Sequence, residues 1–465
     1  MKLMTFSKNQ EIVLTIDDIG VDGEGIGHID GYTFFVKEAL PGETIRALVL
    51  KVNKNYGFAK MLEIMEKSDD RVEPACEHAS RCGGCTLMHL SYEKQLIYKE
   101  QKVKNCLVRI GGWDRDFIDS VTEPIIGMED PYHYRNKAQF PVATGRDGKV
   151  NIGFYAERSH NIIDSTDCHI QDEISCHIAG IVREWITKYR IRPYNEVDGS
   201  GLVRHIVTRV GYYSGQVMAC LVVTKEKVPH IDELVEELKA IPGMTCISLN
   251  INPKKTNKIL GDKLINLFGK GYIEDSIDNI RFRISPLSFY QVNPVQTQKL
   301  YGTALSFAGL TGEETVWDMY CGIGTISLFL AQKAGKVLGI EIVPEAIEDA
   351  KVNAQINNID NAQFICGASE DINEILSDYE MEDFLNPDVI VVDPPRKGCD
   401  KKLIDTIIRT KPERVVYVSC DPATLARDTA LLREGGYKIE KVKACDMFGM
   451  SGHVETVCLL SRKDK

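Results

Sequence analysis

The sequence predicts an α/β protein whose C-terminal third is a doubly wound parallel sheet, preceded by a small N-terminal β-barrel and a central α+β region. Three observations predict this. Strand and helix patterns alternate regularly from about residue 316, short strand patterns broken by glycine turns fill residues 10–66, and residues 130–285 mix both types irregularly. The predicted domains are therefore 1–67, 68–285 and 286–465.

The bulk composition is that of a globular protein. Of the 465 residues, 43% are hydrophobic and 26% are charged. There is no apolar run of about 18 residues for a membrane span and no apolar core of a signal peptide. We expect a cytoplasmic monomer, in which the 14 cysteines serve metal binding or catalysis rather than disulfides. The net charge of −11 argues only mildly against a nucleic-acid partner, because electrostatic footprints are local.

The N-terminal barrel is predicted from short strand patterns separated by turns. A turn is expected at Gly23–Gly27, and the strands are expected at 11–16, 32–36, 44–52 and 57–64. Closing such strands into a barrel removes exposed edges. The run from Gly25-Ile-Gly-His to Leu-Pro-Gly-Glu43 resembles a TRAM domain, an OB-like module associated with RNA-modifying enzymes. A generic small barrel with no RNA role is the alternative.

A helix is predicted over residues 91–110, where Leu96, Val103 and Leu107 recur at helical spacing. Lysines occupy positions between them. They form either a solvated face or an RNA contact, and the helix is a candidate for docking on the C-terminal domain.

Polar side chains stand where four of the predicted parallel strands end. Because ligands of such sheets bind beyond the carboxyl ends of the strands, these side chains are expected to share one crevice. They are Asp318, Glu341, Asp393 and Cys420.

The first of these strands leads into a glycine turn, Gly322-Ile-Gly324, that opens a helix. A dinucleotide fingerprint requires a third glycine where Ser327 stands, so the turn favours S-adenosylmethionine over NAD. Glu341 ends the next strand, where an acid takes ribose hydroxyls; a solvated carboxylate is the alternative. Asp393 precedes two prolines that hold a rigid turn. Asp318, Gly322, Glu341 and Asp393 are the predicted donor site.

The acceptor chemistry is indicated by Arg396 and Cys420. An Asp-Pro-Pro-Tyr turn would point to methylation of an exocyclic nitrogen, but here Arg396 follows the prolines. A thiolate adding to C6 of a pyrimidine makes C5 nucleophilic, and a base must later remove the C5 proton. Cys420 is the predicted nucleophile. The helix starting at Asp421-Pro422 is expected to favour its thiolate.

The base is expected near the same crevice. Glu455, in Gly452-His453-Val-Glu455-Thr, is the predicted base, with His453 as the reserve. A surface carboxylate and a structural histidine are the alternatives.

Together these motifs resemble the RNA (uracil-5-)-methyltransferases over almost the whole chain. The resemblance implies that Cys420 is the nucleophile and Glu455 the base. It implies donor contacts by Tyr320 and by Gln291, in Ser288-Phe289-Tyr-Gln291, and a pocket for an everted base bordered by Phe289. Glu341 and Asp393, which belong to the predicted donor site, also match donor contacts of the family. Possible RNA contacts, with a solvated turn as the alternative, are Arg135, Asn136 and Lys137.

Three cysteines in one short segment, Cys76-x5-Cys82-x2-Cys85, enclose two glycines and could surround one metal centre. Their spacing is compatible with zinc or an iron–sulfur cluster. The family resemblance implies a [4Fe–4S] cluster in the central domain, with Cys168 as the fourth ligand and a structural role.

The leading hypothesis is therefore methylation of uracil C5 in RNA. Chain length, the barrel and the cysteines resemble the 23S rRNA enzymes of the family more than its shorter tRNA enzymes. A tRNA T-loop uridine is the second candidate, and a non-catalytic RNA-binding or assembly factor is the third.

Overall fold

A computed structural model of the chain describes residues 6–462. Residues 1–5 and 463–465, where the first and last predicted domains begin and end, lie outside the described part. The chain folds as two compact units. One contains the residues up to Lys102 together with Tyr155–Asn161 and Phe448–His453, and the other contains the remaining described residues. The predicted bounds of the three domains stay a prediction.

The N-terminal strands are β1 (Glu11–Ile19), β2 (Gly25–Ile29), β3 (Tyr32–Lys37), β4 (Thr44–Val52) and β5 (Tyr56–Glu66). They close into a barrel in the order β1-β2-β3-β5-β4, which confirms the predicted barrel. Strand β2 replaces part of the predicted turn. A Cβ on Gly25 or Gly27 would lie 2.5 Å from a neighbouring carbonyl oxygen, so these glycines allow close strand approach rather than a turn.

A seven-stranded sheet forms the centre of the chain. Its strands run in the order β13-β12-β11-β10-β7-β8-β9, and helices α3 and α4 cover one face with a shared apolar core. The elements of this region are α1 (Tyr92–Arg109), α2 (Arg115–Val121), β6 (Thr122–Ile126), β7 (Lys137–Thr144), β8 (Val150–Tyr155), β9 (Ile162–Asp164), α3 (Glu173–Lys188), β10 (Val203–Val210), β11 (Val217–Val223), α4 (Ile231–Lys239), β12 (Met244–Ile251) and β13 (Lys263–Gly269).

The C-terminal region begins with a hairpin and continues into alternating helices and strands. Its elements are β14 (Ile273–Ile277), β15 (Ile280–Ile284), α5 (Pro294–Ala308), β16 (Thr315–Met319), α6 (Thr325–Ala331), β17 (Lys336–Glu341), α7 (Pro344–Ile356), β18 (Ala362–Cys366), α8 (Ile372–Asp378), β19 (Val389–Val392), α9 (Lys401–Thr410), β20 (Arg414–Ser419), α10 (Pro422–Glu434), β21 (Tyr437–Cys445) and β22 (Glu455–Arg462).

These strands form a sheet with the order β18-β17-β16-β19-β20-β22-β21-β6, in which β16 to β20 are parallel. From β16 the chain moves outward to β17 and β18, then returns to β19 and β20 on the other side of β16. The reversal between β16 and β19 is a topological switch point, where doubly wound sheets bind ligands. This confirms the predicted α/β domain.

Local sequence signals explain where the helices around this edge begin. Asn293 caps α5 by accepting from the Gln296 N–H, and Asp421 caps α10 by accepting from the Ala423 and Thr424 N–H groups. A proline follows each cap, at the first helical position that tolerates it. The four residues of β19, Val-Ile-Val-Val, are all buried, as expected for an inner parallel strand.

Candidate active site

The turn after β16 is built for close approach to a ligand. Tyr320 and Gly322 have φ angles of 91° and 55°, and a Cβ on Gly322 would meet no atom within 4 Å. The N–H of Gly322 donates to Oε2 of Glu341 over 3.2 Å, while Oε1 of Glu341 accepts from the Val343 N–H over 3.0 Å. Glu341 therefore connects the ends of β16 and β17.

Asp318 lies within β16, fully buried beneath this turn. Its Oδ2 accepts a hydrogen bond from the hydroxyl of Ser327, and its Oδ1 is buried without a partner in the described part of the chain. Burial raises the pKa of Asp318 to about 7. Ser327, which replaces the third glycine of a dinucleotide site, is thus the residue that anchors this carboxyl.

Asp393 follows β19, on the other side of the switch point. Burial, and then the nearby Asp318 carboxyl, raise its pKa to about 7. Asp318 and Asp393 thus place two carboxyl groups at the carboxyl ends of adjacent strands. A positive charge bound between them would be stabilised by their ionised forms. A sulfonium ion carries such a charge.

Cys420 follows β20 directly, and the register of β20 and β22 places Glu455 opposite it. The two strands are antiparallel and Ser419 pairs with Thr456, so Cys420 and Glu455 are the next residues to stand opposite each other. Cys420 is half-buried and Glu455 is buried. A thiol and a carboxyl group therefore face the same crevice.

The thiolate of Cys420 is not favoured in the free protein, contrary to the expectation from the helix that follows. Burial, and then the Glu455 and Asp393 carboxyls, raise the pKa of Cys420 to about 12, while Arg396 opposes the rise. The first N–H groups of α10 are already occupied by the Asp421 carboxylate. That carboxylate cancels much of the positive potential that the helix would offer a thiolate.

Glu455 is held largely protonated at neutral pH. Burial, and then the Asp393 carboxyl, raise the pKa of Glu455 to about 8, and Arg396 again opposes the rise. The reserve residue His453 is exposed and belongs to the other compact unit. Of the two predicted bases, Glu455 is the one beside Cys420.

Tyr301, which the sequence reading missed, links the predicted donor residues. This buried phenol lies within hydrogen-bond distance of the Thr325 hydroxyl, and its high pKa arises from burial and then from Asp393, with a hydrogen bond to Gln291 opposing it. Gln291 thereby reaches the same crevice. Tyr301 lies on an apolar stripe of α5, where an aromatic residue predicts packing only.

A family model described as tRNA (uracil-5-)-methyltransferase matches residues 91–463, and one described as the TRAM domain matches residues 6–62. The chain belongs to the tRNA (uracil-5-)-methyltransferase family. A relative from Clostridium acetobutylicum, named an uncharacterized RNA methyltransferase, is 50% identical over 465 residues, which is 100% of both chains. One from Listeria innocua with the same description is 49% identical over 463 residues, again 100% of both.

One solved structure resembles this methyltransferase over nearly its full length. The Pyrococcus abyssi tRNA (uracil-54, C5)-methyltransferase, in complex with S-adenosyl-L-homocysteine, superposes with a TM-score of 0.78 at 29% identity, covering 97% of this chain and 100% of that one. The chain is thus an RNA methyltransferase with a TRAM barrel and an α/β methyltransferase fold, as the sequence resemblance implied. No helix among residues 6–462 is long and apolar enough to cross a membrane.

The cysteines predicted to hold a cluster do not form a metal site in the methyltransferase as described. Cys76, Cys82 and Cys85 are half-buried in one compact unit, whereas Cys168 belongs to the other and packs against the core of the central sheet. Across residues 6–462, no group of three or more His, Cys, Asp or Glu side chains is placed to hold a metal ion. The predicted iron–sulfur domain is therefore not supported.

The predicted RNA contacts at the start of β7 have different environments. Asn136 is buried and donates from Nδ2 to the Gln291 carbonyl over 3.1 Å, so it holds the loop before α5. The Cζ atom of Arg135 lies 6.0 Å from the centre of the Tyr134 ring. Lys137 of β7 is the register partner of Arg209 in the antiparallel strand β10. Phe289, in the same loop as Gln291, is 70% exposed. A ring exposed to this degree is available to a ligand.

Proposed function

We propose that the protein transfers a methyl group from S-adenosylmethionine to C5 of uracil in RNA, through a covalent bond between Cys420 and C6. The observation that carries this proposal is the register that sets Cys420 opposite Glu455 at the switch-point edge of the sheet. Covalent activation of C5 requires a nucleophile and a proton acceptor on one bound base. Cys420 is the proposed nucleophile and Glu455 the proposed proton acceptor.

The donor is proposed to lie on the β16 turn. Gly322 leaves space for close approach, the unpartnered Oδ1 of Asp318 is one buried polar atom available beneath it, and Glu341 stands where ribose hydroxyls are taken in doubly wound sheets. Tyr320, Gln291 and Asp393 complete the proposed set. When bound, the donor supplies an electrophilic methyl group on a sulfonium centre, whose charge Asp318 and Asp393 would offset.

The reaction needs two protons to leave the Cys420–Glu455 pair, one from each group, since both groups hold protons in the free protein at neutral pH. The Cys420 thiolate then forms a bond to C6, and the electron pair displaced onto C5 forms the new bond to the methyl carbon as the sulfonium–methyl bond breaks. The Glu455 carboxylate takes the C5 proton. The electrons of that C–H bond restore the C5–C6 double bond, and the Cys420 thiolate departs.

Arg396 is proposed to make this proton movement possible. Its charge lowers the pKa of both Cys420 and Glu455. A guanidinium group cannot lose its proton under these conditions, so its charge is permanent. Arg396, which follows the Asp393-Pro-Pro turn, is therefore proposed to act through its charge on Cys420 and Glu455.

The substrate must present an unstacked uridine, because C5 and C6 cannot be reached within a stacked helix. A uridine of 23S rRNA is the first proposed substrate. The full-length likeness to a structure of a tRNA (uracil-54, C5)-methyltransferase favours a tRNA uridine as the second. Because that tRNA enzyme matches this chain over nearly its full length, chain length no longer favours an rRNA substrate.

The test is methyl transfer by purified protein to transcripts of 23S rRNA fragments and of tRNA, with a methyl-labelled donor. Nucleoside mass spectrometry should detect 5-methyluridine in at least one transcript. Labelling of another nucleoside, or of neither RNA, would contradict the proposed reaction. The ratio of kcat/KM for the two transcripts decides between the substrates.

The [4Fe–4S] cluster remains a separate proposal on Cys76, Cys82, Cys85 and Cys168, and no step of the reaction depends on it. Anaerobically purified protein should contain about four iron and four sulfide per chain, and Cys82→Ala should lose both. Protein with zinc and no iron would overturn the proposal.

A further inference from the structure

The loop that joins β19 to α9, residues 393–400, carries Arg396 and is called the Arg396 loop below. Arg396 is exposed, and within residues 6–462 its side chain forms no hydrogen bond or ion pair. Its charge nevertheless acts on Cys420 and Glu455. Because no side-chain contact holds the guanidinium, the backbone of the loop decides where this charge lies.

A buried carboxylate, Asp428 of α10, binds the last part of the Arg396 loop. The residue is 0% exposed. Its Oδ2 accepts from the Cys399 N–H over 2.8 Å and from the Tyr417 hydroxyl of β20 over 2.7 Å, while its Oδ1 accepts from Nε of Arg427 over 2.7 Å. Hydrogen bonds to an ionised group are stronger than neutral ones. The loop is therefore fixed to α10 and β20 at Cys399.

Arg427, the residue before Asp428 on α10, adds two contacts to the backbone of the same loop. Its guanidinium donates to the carbonyl of Lys397 over 2.9 Å and to the carbonyl of Cys399 over 3.4 Å. The rigid, planar set of donors on an arginine suits several acceptors at once. The two residues of α10 thus hold the backbone that immediately follows Arg396.

Gly398 shows how closely the Arg396 loop is fitted to this pair. Its φ angle is 78°, and a Cβ at this position would lie 2.6 Å from Oδ2 of Asp428 and still closer to the guanidinium of Arg427. Any residue with a side chain would be strained here and would displace one of the two groups.

We infer that Asp428 and Arg427 are positioning residues, which hold the Arg396 loop on α10 so that the charge of Arg396 acts on Cys420 and Glu455. The inference rests on the proposed function, because it names residues that support the proposed catalytic pair. Helix α10 begins two residues after Cys420. One helix therefore fixes both the thiol and the loop that carries the cation.

The alternative role for Asp428 is structural support alone, and the reactivity of Cys420 distinguishes the two roles. The groups that shift the pKa of Cys420 are, after burial, Glu455, Asp393, Arg396 and Asp421, and of these Arg396 alone lowers it. Displacement of Arg396 would leave less thiolate and slow alkylation of the thiol. General loosening of the site would expose the thiol and speed its alkylation.

The test is alkylation of Cys420 by iodoacetamide at pH 8 in the full chain without RNA, measured by peptide mass spectrometry. Asp428→Asn should slow it by about 3- to 10-fold, the effect of a thiol pKa that rises by about 0.5–1. Glu314→Gln alters a buried carboxylate that binds the loop before β16, at the opposite edge of the sheet, and should leave the rate unchanged. A rate in Asp428→Asn equal to or above that of the wild type overturns the inference.

Gly398→Ala is the second variant, because it displaces the loop while keeping every charge and every buried partner of Asp428. It should slow alkylation of Cys420 by about the same factor, so the inference stays testable if Asp428→Asn fails to fold. Gly312→Ala places the same strain at a φ angle of 110° in the loop before β16 and is the matched control. Alkylation of Gly398→Ala at the wild-type rate contradicts the inference.

A double variant shows whether Asp428 acts through Arg396. Once Arg396→Ala has removed the charge, Asp428→Asn should have no further effect on alkylation, because two changes in one interaction are not additive. A second, equal loss in the double variant would show that Asp428 acts by another route, and would refute the positioning role.

Methyl transfer separates failure of this inference from failure of the proposed function. Loss of kcat/KM in Asp428→Asn should be larger at pH 7 than at pH 9, where Glu455 is ionised without help from Arg396. If the wild type methylates uridine and the loss is equal at both pH values, only the positioning role is refuted. If the wild type methylates no RNA, the proposed function is refuted, whatever the alkylation rates.

Discussion

Cys420 and Glu455 lie opposite each other at the ends of two antiparallel strands, one step beyond the paired residues Ser419 and Thr456. The Glu455 carboxylate contributes to the high pKa of the Cys420 thiol. Both groups must lose a proton before they can act as nucleophile and base.

Glu455→Gln should trap the protein on its RNA. The amide cannot accept the C5 proton, so the covalent bond from Cys420 to the methylated base cannot be eliminated. Denaturing gels should show a protein–RNA band that persists after heating in detergent. Glu434→Gln, an exposed acid at the end of α10, should release its product normally. Turnover at the wild-type rate by Glu455→Gln would exclude Glu455 as the base.

Activity should rise with pH from 6 to 9, because Glu455 and Cys420 must both lose a proton. The pKa of Glu455 is raised to about 8, so below that value the carboxyl is protonated and cannot act as a base. The rate constant kcat/KM should fall at least about tenfold for each pH unit below 7. The measurement is kcat/KM between pH 6 and 9 with RNA of unchanged structure. A flat profile across pH 6–8 would contradict this assignment.

Arg396→Ala should move the acid limb of that profile to higher pH. The guanidinium lowers the pKa of Glu455 and Cys420, and its removal leaves both groups protonated over a wider range. Activity at pH 7 should fall several-fold and recover at pH 9. Arg396→Lys keeps the charge and should retain the profile. Equal losses at both pH values would indicate that Arg396 acts only through structure.

Asp421→Ala should destabilise the protein and activate the thiol. Loss of the cap of α10 costs about 1 kcal/mol of unfolding free energy, and it frees the helix N–H groups beside Cys420. Asp400→Ala removes the equivalent cap of α9 and is the matched control. Both should unfold at lower urea concentration, but only Asp421→Ala should speed alkylation of Cys420 at pH 8, as measured by peptide mass spectrometry. Equal alkylation rates in the two variants would contradict the capping explanation.

The sequence predicted the C-terminal sheet well because its inner strands are buried on both faces. Their apolar runs are uninterrupted, and β17 ends at Glu341, as predicted. Strand β2 was read as a turn because Gly25 and Gly27 serve strand contact, which local sequence cannot distinguish from chain reversal. Tertiary contact decides such positions.

The candidate site could be predicted in part for a similar reason. Strand ends locate Asp318 and Asp393 from the local pattern, but the pKa of Cys420 depends on Glu455, which reaches it only through the register of β22. The helix after Cys420 predicted a stabilised thiolate, and the Asp421 cap reverses that. Tyr301 carries no local signal, because its partners come from three other segments.

The most direct measurement of the central claim is formation of 5-methyluridine by Cys420→Ala, with Cys366→Ala as the control. Cys366 is exposed at the end of β18, on the same edge of the sheet, so its loss tests for general effects of removing a thiol. We predict that Cys420→Ala binds RNA and donor but forms no 5-methyluridine, while Cys366→Ala retains activity. Methylation by Cys420→Ala at the wild-type rate would contradict covalent catalysis.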